Sequence, residues 1–298
     1  MRLLPIAAAL LLLAVPREAS AQATEGPPRQ PEAGLSGYRV DYGEVYATRQ
    51  SGLLKADVYQ PDGEGPFPGV VLVHGGAWYM GSRHNMAWCA RRLARLGFTA
   101  VSISYRLAPQ HKFPAQIDDC RDAVRWMRAN ADRLKIDPQR IGGFGYSAGG
   151  HLVALLGATA EADEKGPTAG DTARSSRLQA IAAGGAPCEF RFLPADLDLL
   201  TYWLGGPRRA AAEAYRLASP TVFASADDPP MVFWHGSRDR TVPISSARAM
   251  VRALRAAGGS AELHVVEGKG HTQAFFDAEA FDACVRFLAE ELDHEPRK

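Results

Sequence analysis

The stretch Arg140–His151, RIGGFGYSAGGH, joins a short apolar segment to a run of glycines around one serine. Residues 140–144 read as a strand, and residues 151–158 continue as a helix. The residues between them, 145–149, match the pattern G-x-S-x-G, whose glycines allow a very tight strand-to-helix turn. Such a turn lifts the Ser147 hydroxyl out of the sheet as a candidate nucleophile. It also sets the Ala148 N–H at a helix N-terminus, where it can bind a developing oxyanion.

Strands and helices alternate on both sides of this stretch. Apolar and β-branched runs predict strands over 38–47, 53–59, 69–74, 99–103, 140–144, 178–184, 230–234 and 261–266. Helical periodicity predicts helices over 86–96, 117–134, 151–158, 244–257 and 278–292, with short pieces near 197–203 and 210–217. Residues 160–177 read as a surface loop. This alternation predicts an α/β fold with a mostly parallel central sheet and helices on both faces.

A second glycine-rich segment, His74-Gly75-Gly76-Ala77-Trp78, follows a buried strand. Open parallel sheets bind ligands beyond the carboxyl ends of their strands, so we expect this loop and the Ser147 turn at one edge. Glycine lets amides turn inward, which makes the Gly76 and Ala77 N–H groups the best oxyanion donors beside that of Ala148. His74 is expected to hold the loop by hydrogen bonding. The competing interpretation is a plain glycine turn.

Asp239 and His271 lie on the loops that follow the last two predicted strands. A general base must reach Ser147 from a loop, and His271 meets this condition, whereas His264 lies inside a strand and His235 ends one. Asp239 is the carboxylate on the loop before it, which makes it the candidate acid that orients the base. The competing interpretations are that Ser147 only caps the helix, that Asp239 only caps its loop, and that His271 is a surface histidine.

The first 23 residues differ from the rest of the chain. Arg2 gives a positive start, Leu3 to Val15 form an apolar run, and small residues lead to a cleavage site after Ala23. This pattern predicts a secretory signal peptide, and hence a secreted or periplasmic protein. The alternative, a membrane anchor, needs about 20 apolar residues. Residues 24–37 read as a flexible linker, followed by one globular domain over 38–293.

Composition and cysteine content narrow the possible partners. The chain has 298 residues, 46% of them apolar, and a net charge of +1 with no basic run. We therefore expect a small or neutral substrate, with no nucleic acid and no stable membrane anchor. Secretion permits disulfides among Cys89, Cys120, Cys188 and Cys284, but buried free thiols are an equal alternative. No metal-ligand spacing is present, so no metal or cofactor is expected.

These motifs together resemble the α/β-hydrolase superfamily. Within it they resemble the hormone-sensitive-lipase and carboxylesterase branch, and the bacterial feruloyl and acetyl-xylan esterase-like (BD-FAE-type) group beside it. The resemblance runs from about Tyr38 to Leu292, and it also rests on SYRLAP at 104–109, FPAQ at 113–116 and DP at 137–138. One departure is Ala77, which replaces the third glycine of the usual HGGG. The amide donor survives this change, but the space near the acyl group shrinks.

The resemblance implies an α/β-hydrolase fold with a small cap, and a serine carboxylic-ester hydrolase with the triad Ser147, Asp239 and His271. It implies small-molecule or carbohydrate-linked esters as substrates. The runner-up is an aryl-formamidase or another amide or lactone hydrolase. A non-catalytic binding scaffold is disfavoured because all three triad members are kept.

Residues 187–228 are the one candidate lid. Their apolar side chains either line an acyl or aryl pocket or belong to the core. These side chains are Phe190, Phe192, Leu193, Leu199, Leu200, Tyr202, Trp203 and Leu204.

Overall fold

A computed structural model describes residues 37–164, 175–191 and 197–295. The predicted signal peptide, residues 1–23, and the predicted linker up to residue 36 lie outside these ranges. Among the residues described, no helix has both the length and the apolar content that a bilayer span requires.

Within the described residues, eight strands form one sheet in the order β1-β2-β4-β3-β5-β6-β7-β8. Strands β1 and β2 pair antiparallel, as do β2 and β4, and all the other neighbours are parallel. The bounds are β1 Tyr38–Arg49, β2 Gly52–Pro61, β3 Phe67–Val73, β4 Thr99–Ile103, β5 Ile136–Tyr146, β6 Ala180–Gly184, β7 Met231–Gly236 and β8 Ala261–Val266. The predicted mostly parallel sheet is confirmed.

Helices cover both faces of this sheet. Their bounds are α1 Ala87–Arg95, α2 Ala115–Ala129, α3 Ala131–Leu134, α4 Ala148–Glu164, α5 Asp198–Leu204, α6 Ala212–Leu217, α7 Ser245–Ala256, α8 His271–Phe275 and α9 Ala278–Glu291. Alternate residues of each strand enter different cores: in β3, Val71 and Val73 face α2, α4 and α7, whereas Val70 and Leu72 face α1 and α9. This two-sided burial explains why β3 is apolar at successive positions.

The sheet order brings two distant loops together. The chain runs from β3 outward to β4 and then returns to β5 on the other side of β3. Val73 at the end of β3 pairs with Gly145 near the end of β5. The segments that follow these strands therefore leave the sheet side by side, at the switch point where open α/β sheets bind ligands.

Three predicted elements differ most from the observed bounds, while several others differ by one or two residues. The single helix over 117–134 is two helices, α2 and α3, which break at Asn130. The Trp126 carbonyl oxygen accepts from both the backbone N–H (3.0 Å) and the side-chain amide (2.9 Å) of Asn130, which caps the end of α2. Strand β5 begins at Ile136 rather than Arg140. Its pairing with β3 is irregular, since Pro68 pairs with Asp137 and the next residue, Gly69, pairs with Ile141. Helix α4 continues to residue 164, inside the predicted loop 160–177, whose residues 165–174 lie outside the described ranges.

Candidate active site

Ser147 occupies the one-residue turn between β5 and α4. Its backbone is left-handed, with φ of 57°, a strained conformation for a residue with a side chain. The Ser147 N–H donates to the Gly184 carbonyl oxygen (2.8 Å). A Cβ on Gly145 would lie 2.3 Å from the Gly149 carbonyl oxygen, and one on Gly149 would lie 1.9 Å from the Val73 carbonyl oxygen. The two motif glycines are therefore required by sterics, as the sequence predicts.

The loop after β3 packs directly on this turn. A Cβ on Gly75 would lie 3.3 Å from the Ser147 Cβ. Gly76 has φ of 112°, and a Cβ there would lie 2.1 Å from the Met80 carbonyl oxygen. Ala77 and Trp78 continue the loop in left-handed conformations, with φ of 50° and 64°. The Gly75 backbone and the N-terminus of α4 at Ala148 are thus neighbours of the serine, and the Gly76–Ala77 peptide follows directly in the chain.

His74 holds the base of this loop from a fully buried position. Its Nδ1 lies 2.7 Å from the Gly75 carbonyl oxygen, and its ring stacks on Tyr105 with centroids 4.1 Å apart. The Tyr105 hydroxyl donates to the His74 carbonyl oxygen (3.1 Å). Burial lowers the pKa of His74 to about 4 although the backbone contact opposes this. These contacts agree with the loop-holding role expected for His74.

Asp239 follows β7, and its side chain is fully buried. Its Oδ2 lies 2.6 Å from His271 Nδ1. Its Oδ1 accepts from the N–H groups of Thr241 and Val242, at 2.9 Å each. Burial alone would raise the pKa of Asp239, but hydrogen bonds from His235, His271 and the backbone outweigh it and hold the pKa well below its usual range. The carboxylate is therefore ionised wherever the protein is folded near neutral pH.

His271 follows β8, as predicted, but it also begins the short helix α8, which the sequence does not signal. Its carbonyl oxygen accepts from the Tyr146 hydroxyl (2.5 Å), and the two rings lie 5.2 Å apart. A Cβ on Gly185 would lie 2.9 Å from the His271 Cε1. The Gly184 carbonyl oxygen accepts from the Ser147 N–H, so the Gly184–Gly185 backbone lies beside both Ser147 and His271.

Two further residues belong to this site although sequence patterns did not single them out. His235, at the end of β7, is fully buried and places Nε2 2.7 Å from the Val242 carbonyl oxygen and 3.3 Å from Asp239 Oδ2. Tyr146 joins the strand before Ser147 to the His271 loop. Only their places in the sequence could have indicated these two residues: His235 lies four residues before Asp239, and Tyr146 lies inside the G-x-S-x-G motif.

The candidate lid contributes mainly buried side chains. Of its apolar residues, Phe190, Leu200, Trp203 and Leu204 are buried in the core, while Tyr202 is 63% exposed. Phe192 and Leu193 lie outside the described residues. The core interpretation therefore holds for these four side chains.

The cysteines do not form bridges. Cys89, Cys120, Cys188 and Cys284 are all free and buried, and burial raises the pKa of each thiol. They behave as small apolar core residues, the second of the two alternatives. Among the ranges that the structure describes, no cluster of His, Cys, Asp and Glu side chains has the arrangement of a metal site.

The fold is that of an α/β hydrolase. A solved structure described as a truncated form of a carbohydrate esterase from gut microbiota superposes with a TM-score of 0.79 at 26% identity, over 87% of this chain and 99% of that one. Esterase 2 of Thermogutta terrifontis gives a TM-score of 0.70 at 29% identity, over 86% of this chain and 94% of that one.

The chain belongs to the BD-FAE family, whose model matches residues 56–254. Among curated proteins, the esterase LipC of Mycobacterium tuberculosis is 35% identical over 215 residues, which are 69% of this chain and 53% of LipC. The probable carboxylic ester hydrolase LipM of the same organism is 34% identical over 64% of this chain and 46% of LipM. The chain spans about half the length of these curated relatives.

Proposed function

We propose that the protein is a secreted serine carboxylic-ester hydrolase that works through Ser147, His271 and Asp239. The observation that carries this proposal is the 2.6 Å contact between His271 Nδ1 and Asp239 Oδ2, on a histidine whose ring lies against the Gly184–Gly185 backbone that also binds Ser147. The relatives and neighbours named above are themselves described as esterases.

The first half-reaction forms an acyl-enzyme. His271 Nε2 takes the Ser147 hydroxyl proton while Oγ attacks the ester carbonyl carbon. Asp239 accepts from Nδ1–H, fixes the tautomer with a free Nε2 and stabilises the imidazolium that forms. The oxyanion is held by the N–H groups of Gly76, Ala77 and Ala148. Ala148 is suited to this because it begins α4, so its N–H has no acceptor within the helix.

The second half-reaction restores the enzyme. The imidazolium of His271 protonates the leaving alcohol, and the tetrahedral intermediate collapses to the ester of Ser147. Water then gives a proton to His271 and attacks the acyl carbon, and the carboxylic acid leaves as Ser147 regains its proton. Activation by the base and charge stabilisation by backbone dipoles account for every step, so the chemistry calls on no metal or cofactor.

The decisive experiment compares the wild-type chain with Ser147→Ala on a short p-nitrophenyl ester and with a fluorophosphonate probe. We expect hydrolysis and labelling in the wild type, and the loss of both in the variant. A variant that hydrolyses the ester at full rate contradicts the assignment. Ser175→Ala removes a hydroxyl that accepts from the Arg177 N–H outside the site, and this matched control should keep both signals.

We further propose that the substrates are small-molecule or carbohydrate-linked esters. The description of the gut-microbiota neighbour as a carbohydrate esterase supports the second class. A panel of p-nitrophenyl esters of increasing acyl length, acetylated xylan, a feruloyl ester and N-formylkynurenine tests this proposal. Faster turnover of N-formylkynurenine than of every ester would favour the aryl-formamidase alternative instead.

The secreted location and the lid are part of the same proposal. Residues 1–23 are proposed to be removed as a signal peptide, and residues 187–228 to act as a small lid over the site. N-terminal sequencing of protein recovered outside the cytoplasm should begin at residue 24. Intact Met1 in exported protein, or retention of all activity in the cytoplasm, would contradict the localisation.

A further inference from the structure

The proposed oxyanion loop adopts a backbone conformation that its residues disfavour. Ala77 and Trp78 are consecutive left-handed residues, and neither is glycine. A left-handed residue with a side chain persists only where its surroundings hold it, and here two follow one another. The amides of Gly76 and Ala77 point where they do because this conformation is maintained. The contacts that maintain it therefore bear directly on the oxyanion site.

The side chain of Trp78 is fixed on two sides. Its indole stacks on Trp203 of α5, with centroids 3.8 Å apart and ring planes 2° from parallel. Its Nε1–H donates to His151 Nδ1 (3.1 Å). His151 lies on α4 one turn after Ser147, and its Nε2–H donates to the Ala218 carbonyl oxygen (2.7 Å), which leaves Nδ1 as the acceptor. All of these rings are buried.

Trp203 is itself rigidly placed. Its Nε1–H donates to the Gln116 side-chain oxygen (3.1 Å), and its carbonyl oxygen accepts from the Phe113 N–H (3.0 Å). Phe190 packs against its edge, with centroids 5.5 Å apart. Trp203 belongs to the candidate lid segment, yet it is fully buried and stacks face to face on Trp78. A residue outside both glycine motifs thus determines where the loop can lie.

We propose that Trp203 is a positioning residue for the oxyanion site. By stacking on Trp78 it holds the Ala77–Trp78 backbone left-handed, and it thereby keeps the Gly76 and Ala77 amides directed at the substrate oxygen. This inference rests on the proposed ester-hydrolase function and deepens it. It assigns to the segment 187–228 an effect on the rate of the chemical step, in addition to any part in covering the substrate.

The test uses Trp203→Leu and Trp203→Phe in the full chain, with p-nitrophenyl acetate as substrate. Loss of oxyanion stabilisation acts on the transition state, so we expect kcat to fall at least tenfold in Trp203→Leu while KM stays within threefold. Trp203→Phe keeps an aromatic face and should lose only about threefold in kcat. The matched control is Trp126→Leu on α2, a partly buried tryptophan whose ring lies beside the Arg133 guanidinium (5.5 Å), which should keep wild-type kcat.

A pair of inhibitors separates positioning from general damage. An aryl trifluoromethyl ketone accepts Ser147 Oγ at its carbonyl carbon and places a negative oxygen in the oxyanion site, whereas the matching methyl ketone binds largely without this addition. We expect Trp203→Leu to weaken the trifluoromethyl ketone by the same factor as kcat/KM and to leave the methyl ketone unchanged. Equal weakening of both, or full kcat in the folded variant, overturns the inference.

The remaining outcomes are also decisive. If circular dichroism shows that Trp203→Leu does not fold, Trp203→Phe decides: a loss of about threefold in kcat with selective weakening of the trifluoromethyl ketone supports the inference, and wild-type values for both overturn it. An inactive wild type, or activity that survives Ser147→Ala, overturns the proposed function together with this inference. An active wild type, an inactive Ser147→Ala and a fully active Trp203→Leu overturn this inference alone.

Discussion

The hydroxyl of Tyr146 donates a 2.5 Å hydrogen bond to the backbone carbonyl oxygen of His271. Tyr146 is the last residue of β5 and immediately precedes Ser147, so this bond ties the candidate nucleophile turn to the candidate base across β6 and β7. Burial, helped by the charge on Asp239, raises the pKa of Tyr146, and the phenol therefore stays protonated and keeps donating at every working pH.

Removing this hydroxyl should slow turnover without unfolding the protein. Tyr146→Phe loses one buried hydrogen bond, worth about 1 kcal/mol, and frees the His271 backbone to move. We expect kcat on p-nitrophenyl acetate to fall about tenfold with little change in KM. Tyr46→Phe is the control, because Tyr46 is another buried tyrosine whose hydroxyl donates to a carbonyl oxygen, that of Ser104 (2.7 Å). Equal kcat in the two variants would exclude a positioning role for Tyr146.

Asp239→Asn should be far more damaging to activity than to stability. An amide at this position can donate to His271 Nδ1 and so favours the tautomer that has no free Nε2 to accept the Ser147 proton. In proteases with the same triad this change costs about 10⁴ in kcat. Asp277→Asn is the matched control, since Asp277 caps α9 by accepting from the Ala280 N–H (3.0 Å) and asparagine caps equally well. Near-normal kcat in Asp239→Asn would point to a different acid.

His235 should matter through Asp239 rather than by touching substrate. His235→Leu removes a donor from both the Val242 carbonyl oxygen and Asp239 Oδ2. With one donor lost, Asp239 is held less firmly against His271, so kcat/KM should fall severalfold at pH 8. His235→Gln retains an N–H donor and should restore most of the activity. Wild-type kcat/KM in His235→Leu would show that the histidine only fills space.

Stability should decline as the pH falls from about 6.5 toward 4. Burial lowers the pKa of both His74 and His151 to about 4, whereas the unfolded chain binds these protons near pH 6.5. The unfolded state thus takes up protons first, and each histidine should withdraw about 3 kcal/mol from the free energy of unfolding across this window. Urea unfolding at pH 7, 5.5 and 4.5 measures the decline.

The contribution of one histidine can be isolated. His151→Gln keeps a side chain that can donate to the Ala218 carbonyl oxygen but cannot be protonated. Its free energy of unfolding should depend on pH only about half as steeply between pH 6.5 and 4.5. A substitution that removes no group titrating in this window offers the control: burial raises the pKa of Tyr46, so Tyr46→Phe should leave the slope unchanged. Identical slopes in all three proteins would contradict the account.

Sequence patterns predicted the sheet well wherever burial is two-sided. Strand β4 has the predicted bounds and is buried at every position, as expected for a strand between two helical layers. The edge strand β8 also has the predicted bounds, although its middle residues are only partly buried. The sequence patterns failed at the segment Asp137-Pro138-Gln139-Arg140, which lies inside β5. There the Asp137 side chain accepts from the Gln139 N–H (2.9 Å), a local turn that reads as a loop although strand pairing continues on either side.

The three triad candidates were predictable from their positions after β5, β7 and β8, and the structure brings Asp239 into contact with His271. Their catalytic roles stay predictions. His235, Tyr146 and Trp203 were not predictable, because each acts through a contact with a residue on another element. Periodicity indicates which way a side chain faces, but not which partner it meets across the sheet.

The Gly184–Gly185 backbone has a consequence for how activity is acquired during folding. It contacts a serine before it in the chain and a histidine almost ninety residues after it, and it sits in β6 between them. No partially assembled sheet can bring the three together, since β8 must dock before His271 arrives. If the proposed function is right, hydrolytic activity reports complete native assembly. A newly made chain would then carry Ser147 in an inert form until its last strand is in place.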